Sequence, residues 1–113
     1  MKTVVDEGVP FRFAGELRRR GLDVRDFVNE WRGLQNGRLL ERIRDAGFEC
    51  LMTCDKNLRH QQNLARWNLA LITLPKTRFG DLMPYIDRVA EAFARCERGR
   101  ALVVAVDGRF EIH

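Results

Sequence analysis

The sequence predicts an α/β fold, a largely parallel sheet with helices on both faces. Three observations carry that prediction. Short apolar runs alternate with stretches of helical periodicity, in the order β-α-β-α-β-β-α-β-β. Glycine and proline punctuate the boundaries, at Gly8, Pro10, Gly21, Gly47 and Pro75. The chain has 113 residues and shows no linker, repeat or low-complexity stretch, which fits one domain over residues 1–113.

Val4-Val5 is a short apolar run that stops at Asp6-Glu7-Gly8, as a buried parallel strand would before a loop. Pro10 suits the first turn of a helix, where its missing N–H is no loss. Phe11, Ala14 and Leu17 recur at helical spacing and Gly21 is a natural stop. Arg18-Arg19-Arg20 crowd that helix end, where cations meet the negative end of the dipole. Residues 22–28 alternate apolar with charged and read as a second strand near an edge. Residues 31–37 read as a loop, with Asn36 capping a helix over 38–46 whose core stripe is Leu39, Leu40 and Ile43.

Residues 48–53 form a third strand ending at Cys54-Asp55-Lys56-Asn57, and 69–74 a fourth that stops at Pro75. Leu82, Ile86, Val89, Ala90 and Phe93 mark a long amphipathic helix over 81–97. Residues 101–106 and 109–112 flank Asp107-Gly108, a strong hairpin signal that adds one antiparallel edge strand. The parallel strands are expected to be joined by right-handed crossovers.

At 45% hydrophobic and 32% charged, the composition excludes a disordered chain. No stretch approaches the roughly 20 apolar residues of a membrane span. Three cysteines, Cys50, Cys54 and Cys96, are too few for a disulfide framework. With no signal-peptide pattern after Met1-Lys2, a cytoplasmic location is expected. The net charge is +4, and its whole excess lies in residues 56–80, where Lys56, Arg59, Arg66, Lys76 and Arg78 stand without a single acid. An acid-free basic stretch fits an anionic partner or a solvated surface.

In an open parallel sheet, ligands bind beyond the carboxyl ends of the strands, where strand order reverses. Asp6 and Glu7 follow strand one, Asp55 follows strand three, and Asn36 opens a helix on the same edge. Carboxylates converging there would repel one another unless a cation sat between them, and Mg²⁺ or Mn²⁺ fits that chemistry. Acids also end strands simply as turn residues. Lys56, Arg59, Gln61, Gln62 and Asn63 offer a dense set of side-chain donors directly after Asp55, suited to phosphate and sugar contacts or to a polar turn. Cys50 and Cys54 are spaced like zinc ligands but lie along a strand, and no histidine pair completes a site. Trp31 and Trp67 fit either core ends or base-stacking platforms.

The set Asp6-Glu7-Gly8-Val9-Pro10, then Trp31-x-Gly33-Leu34-x-Asn36-Gly37-x-Leu39-Leu40, then Thr53-Cys54-Asp55-Lys56-Asn57-Leu58 and Gln61-Gln62-Asn63-Leu64 resembles a PIN-like family of short bacterial proteins. Many of them are regarded as toxins of toxin–antitoxin pairs. The resemblance runs over about residues 2–95 and implies a PIN-like three-layer α/β/α sandwich. It also implies Mg²⁺- or Mn²⁺-dependent cleavage of RNA at an acidic cluster. Asp6 matches the first acidic ligand, Glu7 the acid that follows it, and Asp55 the acid after strand three. Asn36 and Asn57 stand where related branches carry aspartate, so they would offer amide oxygens without charge, and Glu41 is a further acid one turn into the helix.

The leading expectation is a metal-dependent endoribonuclease toxin held by a cognate antitoxin. Asp6, Asp55 and Glu7 would be catalytic, with Asn36 and Asn57 completing the metal set. Lys56, Arg59, Gln61, Gln62 and Asn63 would bind substrate. The alternative from another class is a non-catalytic PIN-like nucleic-acid or protein-binding module, motivated by the two asparagines. A phospho-receiver domain is a third reading, with Thr73 or Thr77 after strand four, but no lysine follows strand five. Oligomeric state is open from the sequence.

Overall fold

The computed structural model describes residues 1–61 and 63–113; Gln62, expected to bind substrate, lies outside the described residues. In chain order the elements are β1 (Thr3–Val5), α1 (Phe11–Arg19), β2 (Val24–Arg25), a 3-10 turn (Asn29–Trp31), α2 (Asn36–Asp45) and β3 (Cys50–Thr53). Then come α3 (Leu58–Gln61), α4 (Leu64–Trp67), β4 (Ala70–Thr73), α5 (Phe79–Leu82), a second 3-10 turn (Met83–Tyr85) and α6 (Ile86–Arg95). The chain closes with β5 (Ala101–Val104) and β6 (Phe110–Ile112).

The strands form one sheet in the order β2-β1-β3-β4-β5-β6, parallel except for β6. Alternation along the strands sorts side chains to two faces. Val4, Leu51, Leu71 and Ala101 are in register and point to the layer made by α2, α3 and α4. Their neighbours Val5, Met52, Ile72 and Leu102 point to the layer made by α1 and α6. Both faces of β3 and β4 are buried, which is why these strands read as unbroken apolar runs. Helix α2 buries Leu39, Leu40 and Ile43, and truncation of a wholly buried leucine such as Leu40 costs about 2–5 kcal/mol.

The α/β class, the mostly parallel sheet and the hairpin are as expected, with Gly108 adopting φ 86° in the turn. Several finer expectations are corrected. The second strand is two residues long, not seven, because only Thr3 and Val4 pair with it. Asn36 is the first residue of α2, not its cap; Gln35 holds that position. The long helix over 81–97 is broken into α5, a 3-10 turn and α6, with Pro84 in the turn, where proline removes a helical donor. Phe11 does not join Ala14 and Leu17 in the core; Phe13 does, and Phe11 is 74% exposed.

The crossovers are also not all of one hand. Steps β1 to β2 and β4 to β5 run in opposite directions along the sheet, yet α1 and α6 cover the same face. The first three crossovers therefore share a hand and the last has the other. Helix α1 packs beside β2, so without α6 on its face Ile72, Leu102 and Val104 would be bare. The long irregular lead from Leu74 to α6 lets the chain reach that face.

Candidate functional site

The carboxyl edge of the sheet collects the loops after β1, β2, β3, β4 and β5, and β1 sits between β2 and β3 at the reversal of strand order. Asp6 leaves β1 with its amide still bonded to Met52 O at 2.8 Å, so its backbone remains in the parallel ladder. Its carbonyl accepts from Val9 N at 3.0 Å and closes a turn. One carboxylate oxygen of Asp6 accepts from Glu7 N at 2.9 Å and the other from Thr53 Oγ1 at 2.8 Å.

Thr53 is the last residue of β3 and is fully buried. Its hydroxyl donates to Asp6 and accepts from Asp55 N at 3.0 Å, so one side chain ties the ends of both strands together. Asp55 Oδ1 in turn accepts from Asn57 N at 2.9 Å, the turn that leads into α3. Asp6 and Asp55, separated by 49 positions in sequence, are thus joined through two hydrogen bonds on Thr53. Cys54 lies between them, its thiol donating to Lys76 O at 3.2 Å. Burial, and then the negative charge of Asp6, push that thiol up to about 11, so it is protonated at neutral pH.

The other expected ligands take different partners. Glu7 Oε2 meets Arg32 Nε at 2.8 Å, toward the loop after β2. Asn36 Nδ2 donates to Gln61 Oε1 at 2.9 Å, which pins the start of α2 to α3. Among the described residues no three His, Cys, Asp or Glu side chains gather in a way that could hold a metal. The acidic centre is a pair.

Lys56 and Arg59 line a cleft of about 230 Å³ with Leu74, Pro75, Val106 and Glu111, beyond the ends of β4 and β5. Arg59 Nε is buried there and has no hydrogen-bond partner among the described residues. Asn63 is a helix cap: its Oδ1 accepts from Arg66 N at 3.4 Å at the start of α4. The basic stretch therefore divides, with Lys56 and Arg59 in the cleft beyond β4 and β5 while Arg66 lies over the ring of Trp67 at 5.0 Å.

Trp31 and Trp67 are buried core residues, so neither offers an open stacking face. Cys50 faces the α1 and α6 layer; the neighbouring Cys96 thiol, and then burial, raise it well above the ordinary thiol range. It does not meet Cys54 as a zinc pair would. Thr73 ends β4 fully buried, and its hydroxyl has no partner among the described residues.

Two features of the edge were missed in the sequence. Thr53 is one: it stood in the Thr53–Leu58 motif without a role of its own, two residues before Asp55 at the end of an apolar run. The second is a cleft of about 540 Å³ between the loops after β1 and β2, lined by Asp6, Glu7, Phe11, Asp26, Phe27 and Arg32 among others. It had no local sequence signal, because its two walls come from separate loops. No family model, curated protein or solved structure matches the chain, so the edge's own chemistry carries the functional reading.

Proposed function

We propose that this chain is a PIN-like, divalent-metal-dependent endoribonuclease that hydrolyses RNA phosphodiesters at Asp6 and Asp55, and that it is the toxin of a toxin–antitoxin pair. The observation that carries the proposal is the Thr53 bridge, whose hydroxyl bonds the Asp6 carboxylate and the Asp55 backbone N–H and so ties the two acid-bearing strand ends together at the reversal point of the sheet. Two hard carboxylates fit Mg²⁺ or Mn²⁺, which commonly take one or two protein carboxylates and complete their shell with water and substrate phosphate. When bound, such an ion supplies an activated water and offsets charge on the phosphate. Asp6 and Asp55 would hold it, with the amide oxygens of Asn36 and Asn57 as uncharged donors.

The chain's own residues contribute the rest. Thr53 keeps one Asp6 oxygen directed along the edge. Lys56 and Arg59, in the adjoining cleft, neutralise backbone phosphates and orient the strand without reading its bases. Gln61 braces α2 against α3 through Asn36. The test is cleavage of labelled single-stranded RNA with Mg²⁺ or Mn²⁺. Wild type yields product, while Asp6→Asn and Asp55→Asn remain folded and yield none. Equal product from all three, or none from wild type with either metal, overturns the proposal. Growth arrest on induction, lost in Asp55→Asn, tests the toxin assignment separately.

One observation favours a second reading, a binding module without catalysis. Glu7 is paired with Arg32 and no third acid joins the pair among the described residues. RNA binding that is indifferent to EDTA, with no product, selects this module.

A further inference from the structure

A cleft of about 540 Å³ opens next to Asp6 between the loops after β1 and β2, and the functional reading so far leaves it unused. Its walls are unlike those of the cleft lined by Lys56 and Arg59. Phe11 is 74% exposed at the first turn of α1, with no core reason to be aromatic. Phe27 forms a second apolar wall and is held by an edge-on contact with Trp31, ring centroids 6.2 Å apart at 82°. The same cleft is lined by two charged groups of opposite sign, Asp26 and Arg32.

Both groups are held in place while keeping free atoms. Arg18 Nη1 donates to Asp26 Oδ1 at 3.1 Å and to Val24 O at 3.0 Å, which fixes the carboxylate and leaves Oδ2 without a partner among the described residues. Arg32 rests its Nε on Glu7 at 2.8 Å, and its terminal nitrogens remain donors. An aromatic face, an acceptor and a fork of donors are the groups that recognise an unpaired base: a π-face to stack, and edges to bond. Guanine alone presents two adjacent donors, N1–H and the N2 amine, to one carboxylate, with O6 and N7 as acceptors for an arginine.

We propose that this cleft is a subsite for one unpaired guanine of an RNA strand, stacked on Phe11 and read by Asp26 and Arg32. It rests on the RNA reading of the neighbouring acids and adds a base preference to it. The base would enter from the phosphate held near Asp6, and the strand would continue across the acids toward Lys56 and Arg59. Phosphate contacts on that side carry no sequence information, so selectivity falls to this cleft.

The experiment measures binding in EDTA, so that cleavage plays no part. Three fluorescent oligouridines are compared by anisotropy: one all uridine, one with a central guanosine, one with inosine at that position. Wild type binds the guanosine strand about tenfold more tightly than the inosine strand, which lacks only the N2 amine. Asp26→Asn brings these two affinities together and leaves the all-uridine strand unchanged. Phe11→Ala weakens the guanosine strand about tenfold, the size of one base–aromatic contact, and Phe11→Trp restores it. Phe11 is exposed, so the substitution spares the core, and circular dichroism verifies the fold. Equal wild-type affinity for all three strands overturns the guanine subsite while leaving the RNA reading intact. Binding to none of them overturns the subsite, while the RNA reading is decided by the metal-dependent cleavage test.

Discussion

The loops that leave β1 and β3 each carry an aspartate within their first two residues, yet they build opposite surroundings. The β1 loop holds the Asp6 carboxylate with two bonds, from Thr53 and from Glu7 N, and then turns toward β2, where aromatic rings and the Glu7–Arg32 pair form a cleft. The β3 loop leaves Asp55 exposed with a bond from Asn57 N, and turns toward β4 and β5, where Lys56 and Arg59 line a groove with Glu111. The difference is one of division of labour across Thr53. One flank can grip a base and the other a phosphate backbone, while the acids between them belong to both.

The largest effect tests whether the two acids are equal. Asp6→Asn and Asp55→Asn should each lower cleavage by more than about a hundredfold, beyond the range that a mere supporting partner of a metal ligand commands. Their stabilities should differ. Asp6→Asn lowers the melting temperature, since an amide cannot accept on both of its ends, whereas Asp55→Asn keeps an acceptor for Asn57 N and barely moves it. Equal melting shifts would break the comparison.

Thr53→Val comes next. It removes the hydroxyl that serves both loops, and a buried bridge of this kind is worth about 1–3 kcal/mol of stability. As the partner that orients Asp6, it should also lower activity about 10- to 100-fold. Thr53→Ser restores the hydroxyl and should recover activity more than stability, because it leaves a methyl-sized void. Activity in Thr53→Val equal to wild type would show that the acids are placed without the bridge.

Much of the sheet edge was legible because strand ends are local. Val4-Val5 before Asp6, and the apolar run before Asp55, marked both acids, and Asp107-Gly108 marked the hairpin. What stayed hidden depends on which loops become neighbours. The Glu7–Arg32 and Asn36–Gln61 contacts join residues 25 positions apart in each case, and nothing in either segment names its partner. Phe11 was misplaced for a different reason. Helical spacing fixes which residues share a face but not where the layer beneath them stops, and Phe11 sits on the turn that overhangs the edge. The expectation of one hand throughout failed at the last crossover, whose hand follows from which face lacked cover.

A smaller effect tests whether Glu7 belongs to the β1 cleft or to the acids. Glu7 and Arg32 have side chains 50% and 68% exposed, so their pair contributes about 1 kcal/mol or less. Arg32→Gln should leave melting nearly unchanged and release Glu7. If the freed carboxylate turns toward Asp6, Mn²⁺ binding followed by water proton relaxation tightens a few-fold, by the usual gain from an added charged ligand. Unchanged Mn²⁺ affinity would place Glu7 with the cleft alone.

The smallest effect concerns Cys54, which sits between the two loops and senses the charge of the first. Its thiol ionises near 9.0 in an unfolded chain and at about 11 in the folded one, through burial and then the charge of Asp6. Over the window from about 9 to 11 the unfolded chain has already lost the proton that the folded chain keeps. Stability from this group is therefore complete below 9 and declines as pH rises through that window, by a modest amount because Cys54 is only half-buried. Cys54→Ser should flatten that decline. Alkylation of Cys54, resolved from Cys50 and Cys96 by peptide mass, should rise with a midpoint near 11 in wild type. In Asp6→Asn the midpoint should fall, because the like charge is gone, whereas Arg32→Gln and Phe11→Ala, which alter only the outer wall of the β1 cleft, should leave it in place. A midpoint that ignores Asp6→Asn would separate Cys54 from the β1 loop and assign its shift to burial alone.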